Sequence, residues 1–380
     1  MQSTRRHSFK LIGLALAISA LGALTGPARA HHSGDDDEGF RAGKVFTSSN
    51  ATAGNELLVY DTNHAGQLSL VTRLATHGVG SGGGLGNQGA VTLSGNGRFV
   101  FVVNAVSNTV STFSIRRQGL TLESTVDSGG LRPISVTEHD GLVYVLNANG
   151  AGNVAGFRNH GGVLQPVAGS VQPLSASTGT GSAQVGFGAD GESLIVTEKG
   201  TNKLTSYRVR TDGSIGAPLV TPSAGATPFG FAVDRRGNLL VSEAFGGAPG
   251  ASALSSYAFS SAAPAQPVLV SASVANTQSA ACWVVVTPDG RYAYTTNTGS
   301  GTISLYGVQK TGALSLLQGI AATSGGGPID AAIAPQGHAL YVLIAGSDTI
   351  TSYAVGKDGR LNPLASIGGV PRGATGLAAN

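Results

Sequence analysis

The chain is short of charge, of sulfur and of long apolar runs. Only 11% of its 380 residues are charged, against about 25% in ordinary domains. Its single cysteine, Cys282, excludes an internal disulfide and any cysteine-built zinc site. No cysteine lies near position 30, so a lipid anchor there is also excluded. Past Leu24 no stretch is long and apolar enough to cross a membrane. No paired histidines or cysteines at zinc spacing, no Gly-x-Ser-x-Gly elbow and no dinucleotide fingerprint occur. The glycine run Gly78 to Gly86 has no Lys-Ser/Thr after it and no helix to open, so it is not a phosphate loop. No metal and no cofactor are expected.

Glycine, in contrast, is abundant: 58 residues, about twice ordinary usage. The glycines punctuate a repeat. Its plainest copy runs Val284-Val-Val-Thr-Pro-Asp-Gly-Arg-Tyr-Ala-Tyr-Thr-Thr-Asn297. An apolar run meets an Asp-Gly turn, a second run ends on Asn, and a Gly/Ser/Asn loop leads to a third. Aligned on the turn glycine, the copies fall at Gly97, Gly141, Gly191, Gly237, Gly290 and Gly337, 44 to 53 residues apart. That length suits a four-stranded propeller blade and is too long for ankyrin or tetratricopeptide repeats. The runs are rich in Val, Ile, Tyr, Phe and Thr, which are strand formers. In the first full copy, strands are expected over Gly89 to Ser94, Phe99 to Asn104, Thr109 to Ile115 and Leu120 to Val126.

Two pieces remain. Lys44 to Asn50 reads as a second strand with no first strand before it, and Ala374 to Ala378 as a first strand with nothing after it. Together they complete a blade made from both ends of the chain. The expected fold is all-β, a seven-bladed propeller of four-stranded blades spanning 44–380, and such closure removes exposed sheet edges.

Ahead of it, Arg5, Arg6 and Lys10 precede the apolar stretch Leu11 to Leu24, and Pro27-Ala-Arg-Ala30 offers a cleavage site. Residues 1–30 are read as an export signal approaching the twin-arginine type, which makes the protein periplasmic or extracellular. An uncleaved anchor is the other reading, although the stretch is short for a span. Removing that segment leaves 19 basic against 20 acidic residues, so no basic stripe remains to argue for nucleic acid. His31-His-Ser-Gly-Asp-Asp-Asp-Glu38 opens a tail over 31–43, read as solvated and disordered.

The repeats carry a resemblance. Tyr292-Ala-Tyr-Thr-Thr-Asn297, Phe99-Val-Phe-Val-Val-Asn104 with Ser107 to Ser111, Val143-Tyr-Val-Leu-Asn147 and Ser352 to Leu361 resemble the lactonase-like seven-bladed propellers. That group includes bacterial 6-phosphogluconolactonase and fungal carboxymuconate-cyclising enzymes, with the Tyr-Val-Thr-Asn repeat proteins as relatives. The resemblance covers 44–380 and implies a small-molecule ligand at one mouth of the central channel. It implies His, Arg and Glu around that mouth, which is lined by the loops from outer strand to next inner strand and from second to third strand.

On that pattern, Glu243 and Glu198, each ending a second strand, are the candidate catalytic acids. Arg132, Asp330 and Gln184 at inner strands, His77 opening the glycine-rich loop, and Asn104, Asn147 and Asn297 are candidates for substrate binding. Each has a plainer reading: strand-end polarity for the glutamates, a buried pair or solvated rim for Arg132 and Asp330, loop hydrogen bonding for the others. The chain departs from the family pattern with Ile134, Gln184 and Phe229 where histidine is common, and with Thr298 where an arginine is expected. His139, His64, His160 and His338 fall at the turn side. Cys282 beside Trp283 reads as a buried apolar thiol.

Two functions follow. One is an exported lactonase-type hydrolase acting on, or binding, a sugar-acid or related lactone. The other is a non-catalytic binding or scaffold propeller with a small ligand or a protein partner, favoured by the missing His and Arg and the many Asn, Ser and Gly loops.

Overall fold

The strand-rich repeat folds as written. The computed structural model describes residues 43–260 and 266–380. Residues 1–30, read above as an export signal, and nearly all of 31–43 lie outside the described residues. Seven antiparallel sheets follow one another along the chain. Blade 1 has the order Thr375–Ala379, Lys44–Ser48, Glu56–Thr62 and Leu68–Ala75. Val45 pairs with Ala379 and Phe46 with Ala378, so the chain's end supplies the inner strand of the blade its start began. Blade 2 runs from Val91–Leu93 to Gly119–Asp127, blade 3 from Leu131–His139, and blade 4 from Ser182–Phe187 to Leu219–Pro222. Blade 5 spans Pro228–Val233 to Pro267–Ala275, blade 6 Ala281–Val286 to Leu314–Thr323, and blade 7 Pro328–Ile333 to Leu361–Ile367. Each inner strand packs on the next blade's inner strand, and blade 7 meets blade 1, closing the ring. Among the described residues the sole helical segment is a 3₁₀ turn at Phe245–Gly247.

The turn glycines explain the hairpins. Gly97 and Gly290 both sit at φ 67°, which a side chain resists. Their N–H groups donate to Ser94 O and Thr287 O.

The core lies between blades, which is why second strands such as Phe99–Asn104 and Ala339–Ile344 read as unbroken apolar runs: both faces are covered. Ile195, Phe231, Leu239 and Tyr257 join blades 4 and 5; Val285, Tyr294, Leu340 and Tyr353 join blades 6 and 7. Fully buried tyrosines pin neighbours through their hydroxyls. Tyr144 donates to Gly213 O at 2.7 Å and Tyr294 to Gly359 O at 2.6 Å.

Two local departures from the expected strands have visible causes. Blade 3's outer strand is split into Val163–Pro166 and Gln172–Pro173, where proline ends the ladder. Blade 2's inner strand is only Val91–Leu93, shorter than the expected Gly89 to Ser94, because the residues before it leave the sheet and enter the channel.

Candidate functional site

The ends of the second strands form one structural class. Asn104, Glu198, Glu243 and Asn297 end that strand in blades 2, 4, 5 and 6. Asn147 is the counterpart in blade 3, where Ala148 and Asn149 extend the strand by two residues. All five are sealed from solvent. Asn104 accepts from Asn55 Nδ2 and Thr76 Oγ1 and donates to Thr109 Oγ1 and Ser111 Oγ. Asn297 repeats this with Asn276, Thr302 and Ser304, and Asn147 with Ser128 and Asn153. Each side chain ties the third strand of its blade to the incoming interblade loop.

Glu198 and Glu243 do the same work with a carboxylate. Glu198 accepts from Ser175 N at 2.9 Å, Thr201 Oγ1 at 2.7 Å and Thr205 Oγ1 at 2.6 Å, and from Ser175 Oγ. Glu243 accepts from Gly225 N at 2.7 Å, Ser255 Oγ at 2.5 Å and Ser273 Oγ at 2.6 Å. Burial lifts the Glu243 carboxyl above its usual range, and those three hydrogen bonds oppose the rise. The loops are shaped to these side chains. A Cβ on Gly225 would stand 2.2 Å from Glu243 Oε2, and one on Gly78 2.3 Å from Asn104 Cγ. The two glutamates expected at the mouth, and the three asparagines expected beside them, are thus buried and hydrogen-bonded to their own blade and its incoming loop.

Gln184 and Asp330 come together elsewhere. Both line a central cavity of about 690 Å³ that receives residues from all seven blades. Its other walls reach Glu138, His139 and Asp234, at the first-to-second-strand hairpins, so it opens on the face opposite the expected mouth. Gln184 uses its amide as a strand would, accepting from Phe231 N at 2.6 Å and donating to Phe231 O at 3.0 Å. Asp330 Oδ2 accepts Gly376 N at 2.7 Å, and burial lifts its carboxyl to about 8.

The loop face closes the other end. The glycine-rich loop was expected to line a mouth; instead it stoppers the channel. Gln88 reaches across from blade 2, donating to Val284 O at 2.9 Å and accepting from Val284 N at 3.0 Å. Asn87 donates to Ile134 O, and Leu85 is buried in the core. Above this plug, Lys199 Nζ donates to Gly86 O and lies 4.4 Å from the Phe229 ring centroid. Phe229 packs on Trp283 at 5.1 Å, and the buried indole Nε1 has no hydrogen-bond partner. Burial lowers the Lys199 amine to about 8, with Arg132 adding repulsion. Burial also lifts the Cys282 thiol to about 11, as expected of an inert apolar cysteine. Arg132 lines a cavity of about 510 Å³ with Ser81, Val106, Asn108 and Leu131. Its backbone is left-handed at φ 57°, held by Asn108 Oδ1, which accepts Arg132 N–H at 2.7 Å. His77 is also left-handed, at φ 57°, and exposed on this face.

The family model for the lactonase, 7-bladed beta-propeller, matches residues 53–173 and 256–375, more than half of the chain. The protein belongs to the lactonase seven-bladed propeller family. Solved structures share its fold at low identity. A putative 6-phosphogluconolactonase from Bacteroides fragilis is 17% identical over 89% of this chain and 98% of its own, with a TM-score of 0.69. The periplasmic gluconolactonase of Pseudomonas aeruginosa is 18% identical over 88% and 99%, at 0.70. A Lactobacillus plantarum protein is 18% identical over 90% and 100%, at 0.72. No curated protein matches the sequence. Among the described residues no helix is long and apolar enough to cross a membrane.

Within this lactonase-family propeller, 174–255 lies between the two matched segments. That interval holds Glu198, Lys199, Phe229 and Glu243. Lys199, Phe229 and Trp283 were not nominated from sequence as site residues. The available signals were thin: a lysine directly after a second-strand end, and the chain's single tryptophan at an inner strand.

Proposed function

We propose that the loop face binds and opens the lactone of a sugar acid, with Lys199 as the base, Arg132 as the anion contact and Phe229–Trp283 as the platform. The observation that carries this reading is Lys199 over Phe229, its amine brought to about 8 beside a second cation. Lactone opening needs a base near its working pKa and a donor for the oxyanion. Neutral Lys199 takes a proton from water as that water attacks the carbonyl. The Arg132 guanidinium faces the charge that forms on the carbonyl oxygen. The ring C–O bond then breaks, and the lysine's proton passes to the departing oxygen, leaving a hydroxy acid. The family membership and the structural likeness to a putative 6-phosphogluconolactonase and a gluconolactonase support this chemistry. The basic, apolar, small-residue order of residues 1–30 supports export, so the substrate is one found outside the cytoplasm.

The test is hydrolysis of a lactone panel that includes glucono-1,5-lactone, by the unaltered protein and by Lys199→Met and Arg132→Gln. The expected kcat loss for Lys199→Met is on the order of 10²-fold or more, and the rate of the parent rises with pH through about 8. Absent activity on every lactone, or full activity in Lys199→Met, rejects the hydrolase. Retained lactone binding without turnover favours the binding propeller, the reading that the missing mouth histidines support.

A further inference from the structure

The channel beneath the plug plays no part in that chemistry. It touches all seven blades and has a volume of about 690 Å³, a size that holds small ligands. It is blind: its walls end at Gln88, Gln184 and Asp330, and Phe229 and Cys282 on the far side of the plug do not reach it. Entry is from the hairpin face alone.

Its interior mixes a few polar side chains with apolar walls. Of the ionisable residues along it, Glu138, His139, Asp234 and Arg235 all stand at the hairpin rim. Two of those are already committed. Glu138 accepts Gly95 N and Gly141 N, and Asp234 accepts Arg236 N, Asn238 N and Asn238 Nδ2. Deeper in, Asp330 is sealed from bulk water with one backbone donor, and burial keeps its proton on at neutral pH. With 1% of its surface exposed, Asp330 sets the charge of the channel floor and is not itself a contact for a guest. Gln184 spends one amide N–H on Phe231 O, and an amide nitrogen has two. The Thr137 side chain also stands on the wall. The remaining walls are mostly Gly, Ala, Val and Phe.

A charged guest would leave its hydration shell here with no counter-charge to meet it. A guest with many hydroxyls would find unused donors and acceptors, and apolar walls for its C–H faces. We propose that this blind channel is a second binding site, separate from the loop face, for an uncharged polyhydroxylated molecule of mono- to disaccharide size.

The experiment is calorimetric titration of the full chain at pH 7 with D-glucose and maltose, beside sodium gluconate and glucosamine hydrochloride. At least one neutral sugar binds, and both charged analogues bind at least tenfold more weakly. Gln184→Met, which removes the spare amide N–H, weakens the sugar at least tenfold, while Asp330→Asn, which keeps the channel floor neutral, stays within threefold. Ala331→Phe, which fills the channel, abolishes binding. Lys199→Met leaves it unchanged, which separates this site from the lactone site. The proposal is overturned if neither sugar binds, if gluconate or glucosamine binds as well as the sugar, or if Lys199→Met removes the binding. The neutral-over-charged preference is read on the unaltered protein, so it stands even if a channel variant fails to fold.

Discussion

The two ends of the channel are built from opposite materials. On the loop face, long and irregular connections bring a lysine, an arginine and two aromatic rings onto a plugged surface. On the hairpin face, tight turns leave an open funnel whose depth holds no ionised group at neutral pH. The difference comes from connection length. A two-residue Asp-Gly or Asn-Gly turn cannot reach inward, whereas the loop from Thr76 to Gly89 carries Gln88 across to blade 6. One ring therefore offers a cationic, aromatic end and a neutral, hydrogen-bonding end.

The largest expected effect tests the neutral end. Asp330 has a folded value of about 8 against 3.8 when free. Between those values the folded protein holds a proton the unfolded chain has lost. Stability therefore falls as pH rises through this window, by up to about 1.4 kcal/mol per pH unit. Asp330→Asn flattens that slope, as urea midpoints from pH 4 to 8 will show; an unchanged slope means the carboxyl is already ionised and the funnel is not neutral. Next, Lys199→Met sharpens the cationic end: the expected loss of 10²-fold in kcat is about 3 kcal/mol in the barrier, with the fold unaltered by circular dichroism.

A third variant asks whether the glutamates belong to either end. Glu198→Ala strands the Ser175, Thr201 and Thr205 donors and costs about 3 kcal/mol of stability, read from denaturant unfolding. Glu198→Gln, which keeps one acceptor, costs less, and its KM for any hydrolysed lactone is unchanged. A KM shift in Glu198→Gln returns the residue to the site. The smallest effect concerns the plug. Gln88→Ala leaves Val284 N and O unpaired and costs about 2 kcal/mol, while solvent exchange of the Val284 amide rises. If that amide exchanges no faster, Gln88 does not separate the two ends.

Much of the fold was legible along the chain. The spacing of Gly97 through Gly337 marked six of the seven blades, and the orphan strands at Lys44 and Thr375 announced the seventh and its closure. Local chemistry sufficed, since Asp-Gly turns and two-faced apolar strands mean the same thing in any blade. The site was less legible for a related reason. Glu198 and Glu243 stood out as acids in a row of asparagines, but a buried carboxylate and a buried amide can serve the same clasp when enough hydroxyls and N–H groups face them. Asp330 and Gln184, expected at the mouth, line the cavity on the opposite side of the plug. Lys199 was passed over because its partners, Gly86, Phe229 and Arg132, come from three other connections.

By itself, then, the sequence determined the repeat, the blade order and the way the ring closes, because these depend on residues a few positions apart. Tertiary structure alone decided which end of the channel is open, which polar side chains are satisfied and which amine is desolvated. Those properties are set by groups such as Gln88 and Val284, or Lys199 and Gly86, more than a hundred residues apart in the chain and in contact only once the ring has closed.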